Sequence, residues 1–307
     1  MKIVFMGTPD FAAVSLERLI NDGRFEISAV YTQPDKPVGR KKILTPPDVK
    51  VLAQKHGLTV YQPNTLKTED VINKLRELNP DVIAVIAYGK ILPKAVLDIP
   101  KYGCINIHGS LLPKYRGAAP IQRAVIDGEK VTGVTSMLLD EGVDTGDMLF
   151  KEETEILPDE TAGELFDRLA VMGADLLIKT LEALQSGEAE RTPQEHTKAS
   201  YAAMLSKDEI IIDWNMSAQT IHDKVRGMNP WPVAAAMYGG KKIKIYKTSV
   251  SDKKGKPGEV LSVKPAVVAC GSGAVQLETV QPESKNKMSG EDFFRGQRFK
   301  VGDIFQN

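Results

Sequence analysis

Residues 82–87 read Val-Ile-Ala-Val-Ile-Ala, an apolar run with no polar break. A half-exposed strand would alternate, and an amphipathic helix would repeat every three to four residues. An unbroken run this short suits a strand buried on both faces, and such strands belong to parallel sheets with helices on each side. The flanking sequence repeats the theme. Residues 2–6 form a similar run ending at Gly7, and 27–31 and 104–108 are further short strands. Between them the period lengthens. Helices are expected at 11–21, behind Pro9 and Asp10, then at 45–56, 68–78, 118–127 and 161–183. A strand with alternation is expected at 132–139. Strands that alternate with helices predict an α/β fold built on an open parallel sheet.

The texture changes after residue 186, where a polar stretch lacks an apolar face. Residues 190–207 are therefore expected as a linker between a domain at 1–189 and one at 208–307. The second domain shows short apolar segments at 210–214, 233–238, 242–246, 258–263, 266–270 and 274–279, separated by Gly and Pro, with one helix at 218–227. Strands at that spacing predict a small β-barrel.

A chain of 307 residues, 42% hydrophobic and 26% charged, has the composition of an ordinary globular protein of two domains. No apolar run approaches a membrane span, and 1–6 is too short for a secretory signal. Two cysteines, Cys104 and Cys270, exclude a cysteine-based metal site by number and suit a reduced, cytoplasmic setting. The four histidines show no metal-ligand spacing, so no metal is expected. Forty basic residues balance forty acidic ones overall, but residues 206–307 hold 16 Lys and Arg against 11 Asp and Glu. A basic C-terminal module suits a polyanionic partner.

Gly7-Thr8-Pro9-Asp10-Phe11 follows the first strand but is not a dinucleotide fingerprint. Position 9 is proline and position 12 alanine, and the proline removes an amide that would face a pyrophosphate. The chemistry lies at 104–117. Asn106 and His108 are two apart on a strand, so they project to one side while Ile105 and Ile107 take the other. They fall at the strand's C-terminal end, where open α/β sheets bind ligands. An amide donor beside an imidazole suits acyl transfer, because one stabilises an oxyanion and the other handles a proton near neutral pH. A loop with Asp140, Asp144 and Asp147 follows the 132–139 strand and is expected at the same sheet edge, where a carboxylate would orient the imidazole. Residue pattern alone leaves open which aspartate does so.

The runs NIHGSLLPKYRGAAPIQRA (106–124) and DEGVDTGDML (140–149) resemble the folate-dependent formyltransferases. The likeness extends through GTPDF, TQPDKPVGRKK, GMNPWP and QPESKNKMSG, so it spans essentially the whole chain. It implies a Rossmann-like N-terminal domain and an OB-like C-terminal barrel. It implies 10-formyltetrahydrofolate as donor, and as acceptor the amino group of methionyl-initiator tRNA, for translation initiation; no protein partner and no membrane are implied. Carried over by position, the catalytic set is Asn106, His108 and Asp144. The folate site matches Ser110, Leu111, Leu112 and Pro113, together with Tyr88, Gly89 and Ile91.

Residues 33–47 carry four prolines and Gly39, which is read as excluding regular structure, and a positive strip that includes Arg40, Lys41 and Lys42. The resemblance implies that this loop grips the acceptor end of tRNA. On 241–247, alternation would expose Lys242, Lys244 and Tyr246 and bury Ile243 and Ile245, adding phosphate contacts from the barrel. Trp231 is expected to pack rather than to stack on a base. Rival readings are a formyltransferase for an amino-sugar nucleotide, a folate hydrolase, and a non-catalytic nucleic-acid-binding protein.

Overall fold

A computed structural model of the chain describes residues 1–39 and 41–306. It divides into two compact units. The first holds Met1–Gly117, Thr132–Thr154 and Phe166–Tyr201, and the second Ala118–Val131, Glu155–Leu165 and Ala202–Asn307. The helix Pro120–Ile126 and the segment before the long helix therefore group with the C-terminal part, although they were expected within 1–189.

The first unit is built on a seven-stranded sheet. Its spatial order is Met148–Glu155, Val131–Leu138, Cys104–His108, Val82–Ile86, Lys2–Gly7, Glu26–Tyr31 and Val60–Tyr61. Lys2–Gly7 pairs in parallel with both Glu26–Tyr31 and Val82–Ile86, and the latter pairs in parallel with Cys104–His108. The strand order reverses at Lys2–Gly7, so the crevice between the ends of Lys2–Gly7 and Val82–Ile86 is a topological switch point. Gly7 closes that corner by size. A Cβ there would lie 2.6 Å from Ala12 Cβ and 3.0 Å from the Ile86 carbonyl. All five residues of Val82–Ile86 are buried, as the unbroken apolar run requires.

The sheet is not wholly parallel. Val131–Leu138 runs antiparallel to Cys104–His108, pairing Asn106 with Met137 and His108 with Thr135. Strand direction depends on how the intervening chain returns, which apolar pattern does not encode. Met148–Glu155 adds a strand beyond those expected.

The helix Ala162–Ser186 starts with a reciprocal cap, in which the Thr161 amide reaches Glu164 and the Glu164 amide reaches the Thr161 hydroxyl. Further along, Gly173 brings the helix against the site strand; a Cβ there would stand 2.8 Å from Ile107 Cγ2. The Ile107 face of Cys104–His108 is thus sealed by a helix, and Asn106 and His108 belong to the opposite face.

Antiparallel strands make up the second unit. Ala235–Tyr238 and Lys241–Ser251 form a hairpin turned by Gly239 and Gly240, both at positive φ. Ala274–Pro282, Val267–Ala269 and Val260–Ser262 continue the sheet. The tail bridges both edges, Met237 to Gln306 and Glu259 to Ile304, which satisfies edges that would otherwise be open. Expected strand 210–214 reduces to a bridge at Ile211. Trp214, Phe294, Phe299 and Phe305 fill the core with Ile243 and Ile245, and the helix Ala218–Gly227, capped by Ser217, packs against it.

Candidate active site

The segment 104–108 is a strand as expected, and it ends at the switch-point side of the sheet. Asn106 Nδ2 donates to the Val85 carbonyl of the neighbouring strand, 2.9 Å away. This bond fixes the orientation of the amide, because a flipped group would set oxygen against oxygen. One Nδ2 hydrogen is left without a partner among the described residues. Asn106 Oδ1 is buried with no hydrogen bond, a deficit that costs about 1–3 kcal/mol and is tolerated where a ligand is to be met.

His108 is only 7% exposed. Its Nε2 lies 2.8 Å from the Tyr115 carbonyl, and its Nδ1 lies 3.7 Å from Asp144 Oδ2. Both ring nitrogens face acceptors, and a ligand at Nε2 competes with the Tyr115 carbonyl. Asp144 Oδ2 also accepts from the Gly117 amide at 2.8 Å. The structure thus brings Asp144 to the ring, leaving Asp140 to cap its own loop through Gly142 and Thr145. Ala87, Tyr115 and Asp144 all adopt positive φ. Left-handed non-glycine residues cost on the order of 1–3 kcal/mol each and gather where geometry serves a function.

Behind this group lies a layer that sequence reasoning missed. Thr192 pairs with Met148 in both directions, which carries Gln194 to the acidic loop. Gln194 Nε2 donates to the carbonyls of Asp144 and Gly146, each at 2.8 Å. Its Oε1 accepts from Arg116 Nε and Nη2 at 3.0 and 2.6 Å. Arg116 is 2% exposed, Gln194 is 5% exposed, and His196 Nδ1 sits 3.3 Å from the guanidinium. The Tyr115 and Arg116 amides are held by Ser200. Residues 190–201, expected as linker, therefore pack back on the first unit. Their polar composition concealed this because the contacts are hydrogen bonds rather than apolar burial.

The folate candidates divide into three kinds. Ser110 and Leu112 are fully buried, and the loop they belong to is tied by Thr135, which donates to the Ser110 carbonyl at 2.7 Å and accepts from the Leu112 amide at 3.1 Å. Leu112 packs with Met137 and Met148, Leu111 lies over Gly133, and Pro113 is half-buried. The Tyr88 ring is buried in the core with Tyr31 and Leu92, and burial pushes its hydroxyl up to about 12. What it offers near the crevice is backbone. Thr8 and Gln33 bond the Tyr88 carbonyl, and Gln33 also bonds that of Gly89, which sits at positive φ. Ile91 is 73% exposed. Cys104 is buried, which pushes its thiol up to about 12, so it behaves as a small neutral apolar group.

The basic candidates lie on exposed surfaces. Residues 33–47 are not irregular throughout. Lys36–Val38 and Ile43–Thr45 form an antiparallel hairpin, with Pro37 opposite Leu44. Two-stranded edges tolerate proline because half of the amides need no partner. Lys41 and Lys42 are exposed at its turn, and Arg40 lies outside the described residues. Lys242 and Lys244 are exposed and Ile243 and Ile245 buried, as alternation requires. Tyr246 is half-buried beside a register shift after Ile245; its hydroxyl bonds Gln281, the residue paired with Lys244, and Lys287 stands over its ring. Trp231 is 62% exposed, contrary to the packed position expected. Among the described residues no three His, Cys, Asp or Glu side chains are grouped as metal ligands, and no helix is long and apolar enough to cross a membrane.

A strand-end amide, a buried imidazole and a carboxylate stand together one strand from the switch point of a mostly parallel sheet, and their chemistry suits group transfer of the acyl type. The chain belongs to the formyl transferase family, whose model matches residues 1–181, with the formyl transferase C-terminal domain matching 204–298. It is 51% identical to the methionyl-tRNA formyltransferase of Acetivibrio thermocellus over 99% of both chains. It is 48% identical to that of Geobacter metallireducens, over 98% of this chain and 97% of the relative. Among solved structures, HypX from Aquifex aeolicus in complex with tetrahydrofolic acid matches at TM-score 0.65 and 18% identity, covering 100% of this chain and 51% of that one. The sugar 3N-formyl transferase WlaRD, with dTDP and 5-N-formyl-THF, matches at TM-score 0.66 and 18% identity, covering 93% and 99%. Those two likenesses concern the fold.

Proposed function

We propose that this enzyme transfers the formyl group of 10-formyltetrahydrofolate to the free amine of methionine on initiator tRNA, in the cytoplasm, as a step of translation initiation. The observation that carries the reading is the convergence of Asn106, His108 and Asp144 at one strand end, with the ring buried and 3.7 Å from its carboxylate. The relatives named methionyl-tRNA formyltransferase, at about half identity over the full chain, supply the acceptor.

In this reading the folate donor occupies the crevice beside Ser110–Pro113 and the Tyr88–Ile91 turn. The methionyl nitrogen attacks the formyl carbon, and negative charge develops on the formyl oxygen. The spare Asn106 N–H and the His108 Nε2–H, released from the Tyr115 carbonyl, stabilise that charge. Asn106 Oδ1 is positioned to accept an N–H of the entering amine. The new C–N bond forms, the bond from the formyl carbon to folate N10 breaks, the amine loses a proton and N10 gains one. Asp144 holds the imidazole in its orientation. Lys41, Lys42, Arg40, Lys242 and Lys244 contact tRNA phosphates.

The test is to incubate the protein with 10-formyltetrahydrofolate labelled in the formyl group and with charged initiator tRNA. Label is expected on the methionyl amine. Label released as formate, or passed instead to an amino-sugar nucleotide, would contradict the assignment.

A further inference from the structure

We infer that Gln194 is a positioning residue for the transfer reaction, setting Asp144 against His108 through a buried amide clamp that Arg116 locks in one orientation. The inference rests on the formyl-transfer reading of this site. It starts from valence. A primary amide has two N–H donors and one oxygen with two lone pairs. All four are used: Nε2 gives both hydrogens to the carbonyls of Asp144 and Gly146, and Oε1 receives Nε and Nη2 of Arg116. A flipped amide would set its N–H groups against guanidinium N–H groups and its oxygen against two carbonyls. One orientation is therefore strongly preferred.

The clamp acts where the backbone most needs holding. Asp144 is at φ 53, a left-handed conformation that an L residue adopts at a cost. Gly146 has no room for a side chain, since a Cβ would lie 1.8 Å from the Leu138 carbonyl. Gln194 spans the two carbonyls on either side of Thr145 and so fixes the turn that aims the Asp144 carboxylate. The carboxylate is then shared between His108 Nδ1 at 3.7 Å and the Gly117 amide at 2.8 Å. Arg116 precedes Gly117 directly, so one guanidinium orders the clamp while its own chain segment supplies the carboxylate's second donor.

Gln194→Glu separates positioning from packing. The carboxylate fits the same volume and keeps Arg116 paired, but it gives no hydrogen to the Asp144 and Gly146 carbonyls and repels them. Gln194→Met removes both sets of bonds at similar length and guards against an effect of charge alone. The purified full-length variants would be compared in kcat, in KM for 10-formyltetrahydrofolate and for charged initiator tRNA, in melting temperature, and in the 15N shifts of the His108 ring. Wild-type protein is measured alongside. The inference expects Gln194→Glu to melt within a few degrees of wild type and Gln194→Met, which leaves Arg116 without its amide partner, to melt lower but cooperatively; both lose roughly ten- to a hundredfold in kcat with each KM within about threefold, and both show displaced His108 signals. Wild-type kcat in Gln194→Glu would overturn it. So would a loss confined to KM or melting temperature, or a kcat loss with unchanged His108 signals. Failure of the underlying reading is distinguishable, since wild-type protein itself would then form no formylated tRNA.

Discussion

The strand end that holds Asn106 and His108 and the basic surfaces at residues 36–38, 41–45 and 241–247 are built in opposite ways. At the strand end each side chain is fixed in orientation before a ligand arrives: Asn106 by Val85, His108 by Tyr115, Asp144 by Gly117, Gln194 by two carbonyls and a guanidinium. On the hairpin and the barrel strand, Lys41, Lys42, Lys242 and Lys244 stand in solvent. Bond making needs atoms placed to within fractions of an ångström, so the protein fixes donors in advance. Holding a polyanion needs charge at short range, which mobile lysines supply through counterion release. Loss of one fixed group should therefore cost far more than loss of one exposed lysine.

The largest effects belong to the strand end. Asn106→Ala and His108→Ala should each lower kcat by about a hundredfold or more, with melting temperatures near wild type, checked by steady-state formylation and calorimetry. Wild-type-like turnover by either would erase the contrast between the two regions. The hairpin comes next. Lys41→Ala with Lys42→Ala should raise KM for charged tRNA by about tenfold while KM for the folate donor stays put, and the rise over wild type should shrink with added salt. Lys242→Ala with Lys244→Ala should have a smaller effect, about two- to fivefold on tRNA, with a salt slope shallower by roughly one unit per lost phosphate contact. Equal losses from the hairpin and the barrel strand would show that the two surfaces contribute alike.

The smallest effect concerns acid stability of the second unit. Hydrogen bonding from Arg123, followed by the Ser206 amide, lowers the Glu209 carboxyl to about 2 from an ordinary value near 4.5. A depressed carboxyl stabilises the fold above its unfolded value, and the contribution is lost as pH falls through the window between 4.5 and 2. Glu209→Gln should lower the melting temperature modestly near neutrality, where the contribution is fully present, and flatten the profile in that window, so that the two proteins converge at its acid end.

The same contrast explains what the sequence revealed. The Val82–Ile86 and Cys104–His108 strands were legible because burial on one or both faces writes a period into the residues. That period alone paired Asn106 with His108 and separated Ile243 from Lys244. Asp144 was not distinguishable from Asp140 or Asp147 by pattern, since the choice depends on a left-handed turn; resemblance identified it. The prolines of 33–47 signal irregular structure, although the edge position of the Lys36–Val38 and Ile43–Thr45 hairpin accommodates one of them. The antiparallel course of Val131–Leu138 and the return of Thr192 to Met148 are properties of chain routing. Gln194 left no trace for the same reason, since a buried amide in a polar stretch looks like any linker residue until its partners are known.

The central question of the site is whether Asp144 acts through the His108 ring or independently of it. A double-mutant cycle of His108→Ala and Asp144→Ala, read in kcat/KM for formylation of charged initiator tRNA, measures this directly. The geometry predicts that the double variant is no slower than His108→Ala alone, because the carboxylate has nothing left to orient. Losses that multiply would contradict it and place Asp144 in a separate role.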